Sequence, residues 1–182
     1  MRRINRSTWT LICVGIVCIG GIVWWWTTYQ DASFVPRFAI EHTDIREGHF
    51  KDVKVESVQI DNKVCTSAVF DHCQFMYTKF KDTDFSRSEM TDTVILSFSV
   101  QDCNFEHANL QRSGWIDGQW KGCNLGFADL RGVNAKQLDI IDCDLHAANL
   151  DGIDLKGCRY DTATKWPPNF NPIDSGAVPL KW

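Results

Sequence analysis

From Phe50 to Tyr160 an uncharged and mostly apolar residue stands at every fifth position, through 23 successive pentads without a slip of register. A helix repeats every 3.6 residues and a strand every two, so neither alone accounts for a period of five. Two places before each centre stands a second uncharged residue, usually small, as in Ala68, Cys73, Thr78, Thr83 and Ser88; Lys63 is the misfit. Asn or Asp is frequent just before the centre (Asn104, Asn109, Asn124, Asp129, Asp144, Asn149), and the remaining positions are mostly polar or Gly. Two inward positions per pentad, one large and one small, with three outward, describe one side of a wall. Such sides close into a coil, and coils stack into a solenoid that shares one core.

The segments CNFEHANLQRS, CNLGFADLRG and CDLHAANLDGIDLKG resemble the pentapeptide-repeat family, whose consensus is A-(D/N)-L-x-x, and the resemblance covers residues 43–160. It implies an all-β solenoid, a right-handed, four-sided parallel β-helix with about 20 residues per coil and about six coils, neighbouring strands lying about 4.8 Å apart. Residues n and n+20 then stack. One interior column reads Gly48, Ala68, Ser88, Ala108, Ala128, Ala148, and another Thr83, Cys103, Cys123, Cys143, while centres such as Phe105, Leu125 and Leu145 fill the remaining space. The cysteines form no C-x-x-C pair. In-register neighbours on parallel strands point the same way, which suits a disulfide poorly, so packed and reduced thiols are expected. Before Ala68 the coils are expected to be less regular, with Lys63 turned outward.

The chain begins differently. Residues 9–26 carry no charge, follow Arg2, Arg3 and Arg6, and are bounded by Trp9 and by Trp24, Trp25 and Trp26. An uncharged run of that length spans a bilayer core as a helix, and the aromatics suit its interfaces. The expected organisation is a basic cytoplasmic segment over 1–8, a transmembrane helix over 9–28, a linker or N-terminal cap over 29–42, the solenoid over 43–160 and a C-terminal cap or tail over 161–182. The excess of Arg on the N-terminal side places the repeat domain outside the cytoplasmic membrane of a bacterium. The long apolar core and its three closing Trp do not suit a signal-peptidase site. Ile16 and Val17 before Cys18 do not suit a lipoprotein site either. In the tail, Pro167, Pro168 and Pro172 are expected to stop strand pairing, and Trp166 and Phe170 to cover the open end of the core.

Chemistry-bearing motifs are scarce. The chain has no G-x-S-x-G, P-loop, G-x-G-x-x-G or H-E-x-x-H, and its five His show no metal-ligand spacing to one another. The recurring Asp and Asn follow the repeat and therefore read as scaffold. His72 is expected to stack between Asp52 and Asp92 as a surface charge pairing. No enzyme activity, cofactor or metal is expected. Residues 43–160 hold 19 acidic and 13 basic residues, a net of −6, which excludes a basic nucleic-acid-binding surface. Two function classes remain. One is a membrane-tethered scaffold or protein-interaction module. The other comes from the family resemblance: relatives that bind DNA gyrase by imitating duplex DNA, a reading that requires a cytoplasmic repeat domain.

The position after each centre faces solvent and is mostly polar, but Met76, Leu96 and Ile116 break the rule at intervals of 20. With Tyr77 and Val94 they are expected to form an apolar stripe, the mark of an interface for a partner protein or a second copy. The competing expectation is that the tail, with Val178, Leu180 and Trp182, folds back over it.

Overall fold

The computed structural model describes residues 45–181. The chain separates into Met1–Gln30 and Asp31–Trp182, and the solenoid belongs to the second unit. The transmembrane helix expected over 9–28 lies outside the described residues. Among the described residues no helix is long and apolar enough to cross a membrane.

All the secondary structure of the described residues is β. The strands are β1 (His49–Lys51), β2 (Lys54–Glu56), β3 (Gln59–Asp61), β4 (Val69–Asp71), β5 (Gln74–Met76), β6 (Lys79–Lys81), β7 (Val94–Gln101), β8 (Gly114–Lys121), β9 (Asn134–Ile141), β10 (Arg159–Tyr160) and β11 (Val178–Pro179). Every pairing is parallel, and up to β10 the register offset is 20: Phe50 with Phe70, Val55 with Phe75, Ile95 with Trp115, Trp120 with Ile140. Isolated bridges continue the ladder between strands, as in Asp84–Asn104–Asn124–Asp144. The product is an all-β parallel solenoid of about seven turns.

Each pentad has a fixed corner. Every fifth residue from Glu47 to Gly157, two after each centre, has a positive φ, whether Asp52 (55°), His72 (54°), Asp102 (53°) or Gly132 (66°). That region disfavours most side chains and tolerates Gly, Asp, Asn and His best, which is why those types recur there. Between corners the inward pair is buried along most of the run, with Gly48, Phe50, Lys63, Gly118 and Tyr160 half-buried. The core holds Ala68, Ala108, Ala128 and Ala148, with Phe105, Leu125 and Leu145 among the centres. Lys63 alone among the inward series is a half-buried cation, in line with an outward turn.

The interior changes character along the axis. One coil is filled by Phe70, Phe75, Phe80 and Phe85 in edge-to-face succession. Phe85 stacks on Phe105 at 5.0 Å, and Phe105 meets Trp115, which meets Trp120 at 4.9 Å. Later coils are filled by Leu, Ile, Ala and Cys. Phe98 is the largest residue in the second inward series and is buried there. Its neighbour one coil on is Gly118, where an added Cβ would meet the Phe98 ring at 2.5 Å, so the missing side chain makes the room.

The tail corrects two expectations. Pairing does not stop at the prolines: β11 adds to β10, with Arg159 opposite Val178 and Tyr160 opposite Pro179, and Lys165 bridges Asp144. This partial turn brings the count to about seven rather than six. Proline is tolerated because β11 is the edge, where its missing N–H has no partner to serve. Trp166 and Phe170 do pack against the end of the core, with Trp166 edge-on to Tyr160 and stacked on Phe170 at 5.3 Å.

Candidate functional site

The face formed by the first half of each long strand carries the apolar stripe. Register pairs place Glu56, Met76, Leu96, Ile116 and Lys136 in one vertical column. Beside it runs Lys54, Gln74, Val94, Gly114 and Asn134. Met76, Leu96 and Ile116 are half-buried by their own stacking, and Val94 is 39 % exposed. Tyr77 occupies the adjoining corner with φ 54° and is 63 % exposed. A bulky ring in a left-handed corner adds local backbone cost, and its exposure brings no packing in return. The structure therefore brings Met76, Val94, Leu96 and Ile116 to one face and Tyr77 to the corner at its edge.

The described part of the tail does not cover this face. Val178 and Leu180 bond to the last coil through Cys158 and Tyr160, beyond the stripe's top rung, and Trp182 lies outside the described residues. Gly114 belongs to the face and was not singled out from sequence. Its φ is not positive, and a Cβ there would meet Ile116 and Val94 at 3.8–3.9 Å, ordinary contact distances. The chain's own packing does not require this glycine.

The other chemistry-bearing groups resolve into scaffold. Cys73, Cys103, Cys123, Cys143 and Cys158 are buried free thiols. They point at backbone carbonyls, as Cys103 to Gln101 at 3.3 Å and Cys158 to Ala135 at 3.0 Å. Thr83, in the same column as Cys103, does likewise to Lys81 and Ile60. Burial pushes the Cys103 thiol up to about 12 and Cys73 to about 11. The Cys143 sulfur beside Cys123, together with burial, pushes Cys123 up as well. These are packing groups, not nucleophiles. Cys143 and His146 stand at C-x-x-H spacing, but Cys143 is buried while His146 is exposed, so the pair does not converge.

His72 stands in the column between Asp52 and Asp92, as expected, and its charge acts on Asp92, but its close partner is a different carboxylate. Its Nδ1 lies 2.5 Å from Asp71, and Asp92 is taken by Arg112 through two bonds of 2.9 and 2.7 Å, which hold its carboxyl below the usual range. Other outward carboxylates are paired the same way: Asp129 with Arg131, Asp139 with Arg159, Asp144 with Lys165. These cations are thus spent on individual carboxylates rather than gathered into a basic patch. A second exposed aromatic also went unread in the sequence. Phe127, half-exposed at a corner with φ 58°, stacks on His107 at 5.0 Å and meets His146 edge-on. Its only sequence signal was a Phe in a corner position otherwise held by polar or small residues.

Comparisons with known proteins agree with the repeat. The family described as pentapeptide repeats matches residues 121–159 in 8 copies. A comparison with curated proteins gave no match. Among solved structures, a pentapeptide repeat protein (Rfr23) of the cyanobacterium Cyanothece 51142 is 17 % identical, with 62 % of this chain and 87 % of that one covered at a TM-score of 0.37. QnrB1, a plasmid-mediated fluoroquinolone resistance protein, is 16 % identical over 74 % of this chain and 73 % of its own, at a TM-score of 0.32. A pentapeptide repeat protein of the Arabidopsis thaliana thylakoid lumen is 13 % identical over 67 % and 71 %, at 0.35. Residues 121–159 are pentapeptide repeats, and the same five-residue register runs back through the solenoid to Phe50.

Proposed function

We propose that this chain is a non-catalytic interaction module that docks a protein on the face bearing Met76, Leu96 and Ile116. The observation that carries this reading is the apolar column itself, three rungs deep on a flat sheet, with Val94 and Tyr77 widening it. Isolated exposed apolar residues are ordinary, whereas a contiguous patch on a polar surface marks an interface. The rod is a right-handed, four-sided coil in this proposal. A positive-φ corner every five residues within a 20-residue period supports four sides, and the preference of parallel crossovers supports the hand. The N-terminal segment tethers the rod to the cytoplasmic membrane of a bacterium and displays it outside, a reading that rests on Arg2, Arg3 and Arg6 before the uncharged run.

The test is site-specific photocrosslinking in the native cell. Leu96→p-benzoylphenylalanine should give adducts, and the same substitution at Arg131, outside the apolar column, should give none. Equal adducts at both positions, or none at 96, would sink the docking face. A reporter fused after Trp182 that works only in the cytoplasm would separately overturn the display.

A further inference from the structure

We infer that the docking face is self-complementary, and that its partner is a second copy of this chain lying antiparallel to the first. This rests on the proposed docking face and names its occupant. Leu96 is the middle rung of the column that reads Glu56, Met76, Leu96, Ile116, Lys136. The two ends are oppositely charged and equidistant from Leu96. A two-fold axis along the strand direction through this rung places Leu96 on Leu96 and Met76 on Ile116. It also sets Glu56 of each copy against Lys136 of the other. Identical patches meeting about such an axis are the ordinary construction of a homodimer.

The two neighbouring columns repeat the relation about the same rung. In one, Val94 is central, with Gln74 one rung below and Gly114 one rung above. The axis places the long Gln74 side chain opposite Gly114, a buried glycine between Val94 and Ile116 whose missing side chain leaves a shallow dip in the face. In the corner column Ser97 is central, and the axis brings the exposed Tyr77 to Asp117. Asp117 accepts a 2.9 Å bond from Ser97 within the chain and has a second oxygen to take the phenol O–H. A parallel arrangement, with the axis along the rod through this column, would instead set Glu56 against Glu56 and Lys136 against Lys136, like charges at both ends. Lys136 forms no ion pair among the described residues, whereas Glu56 already holds Lys54 at 2.8 Å, so the dimer adds a cation to an existing pair. From Glu56 to Lys136 the column is about 19 Å long at strand spacing. An interface of that height lies at the small end of the range, so association is concentration-dependent.

Cross-linking with a short bis-maleimide tests both partner and symmetry. The full-length chain carrying Cys13→Ser and Cys18→Ser keeps its buried thiols and receives one surface cysteine at a time. Leu96→Cys should cross-link to twice the 20.8 kDa chain mass. Glu56→Cys alone and Lys136→Cys alone should not, but a mixture of the two should. Self-linking by Glu56→Cys would mean a parallel pair and overturn the symmetry. In sedimentation, Glu56→Lys should weaken the dimer about tenfold, since two end pairs become repulsive. The double variant Glu56→Lys/Lys136→Glu should recover it, with the monomer's melting temperature unmoved throughout. No recovery overturns the proposal. If the photocrosslinker at 96 yields only adducts to a different protein, the second copy is wrong and the docking face stands. If it yields no adduct, both fall.

Discussion

Thr78 and Thr83 occupy equivalent inward slots on consecutive sides of one coil, and both are fully buried. The Thr83 hydroxyl donates to the backbone at 3.0–3.1 Å, whereas the Thr78 hydroxyl has no hydrogen-bond partner. A buried hydroxyl without a partner carries its desolvation cost, and one with a partner offsets it. Thr78→Val should therefore raise stability by up to about 1 kcal/mol and Thr83→Val lower it by about as much. Thermal or urea unfolding of the two variants checks this, and equal shifts would refute it. Phe98 and Gly118 provide a second test. Gly118→Ala should cost about 1–3 kcal/mol by driving a methyl into the Phe98 ring, and Phe98→Leu in that background should recover part of it. If the Ala variant is neutral, the slot is looser than the 2.5 Å approach implies. At this scale the inward and outward assignment was legible because a strict period leaves no choice of face. The 20-residue stacking already set Phe98 beside Gly118, but the compensation of a large residue by a missing one was not legible, because it depends on how far the Phe98 ring reaches toward the next coil. The left-handed corners were written in the recurring Asp, Asn, His and Gly two places after each centre, a signal that apolar periodicity does not register.

The recurring Asn and Asp act as an element-scale device. Asn124 donates to Asn104 and Asn104 to Asp84, both at 3.1 Å, while their carbonyl or carboxylate oxygens accept the N–H two residues on. Each residue thus closes its own turn and bonds to the coil below, which explains its frequency better than any catalytic role. Asp144 ends the ladder. Burial pushes its carboxyl up, but bonds from the His146 N–H and ring and from Lys165 outweigh that and bring it down to about 2. A depressed carboxyl adds stability that is complete above its unfolded value and is lost as pH falls through the folded one, here between about pH 4 and pH 2. Because the side chain is 30 % exposed, the contribution is about 1 kcal/mol. Asp144→Asn should flatten the acid limb of the stability curve in that window and lower stability at neutral pH by about that amount. An unchanged acid limb would show that the ion pairs there contribute nothing. Strand lengths were the part of the element pattern that stayed hidden. β7, β8 and β9 each run through a corner for 8 residues while β2 to β6 stop after 3, yet the five-residue period is the same in both.

A solenoid has two ends, and each must hide a cross-section of core. At the start Phe50 lies on Phe70 with rings 5.1 Å apart and nearly parallel. At the finish the tail turns over the last coil and lays Trp166 between Tyr160 and Phe170. The covering aromatics in the tail were readable as such. The extra β11 pairing was not, because Pro167, Pro168 and Pro172 do interrupt the strand pattern and pairing resumes only beyond them, at an edge where Pro179 has no N–H partner to serve. Each coil touches only its neighbours, so stability along the rod is close to a sum of coil and interface terms, and damage at one end stays local. Trp166→Ala removes a half-buried ring and should cost about 1–3 kcal/mol, less than a fully buried Trp. Its spatial signature is the sharper test. Amide exchange should accelerate in Asn134–Ile141 and Arg159–Tyr160, which lie under the tail, while Val69–Asp71 and Gln74–Met76 keep their protection. The same variant exposes a row of unpaired strand groups and should associate end to end at high concentration, an outcome separable from face pairing because Leu96→Cys cross-links would persist. Uniform loss of protection along the whole rod would mean that the solenoid melts as one cooperative unit and that the cap supports every coil equally.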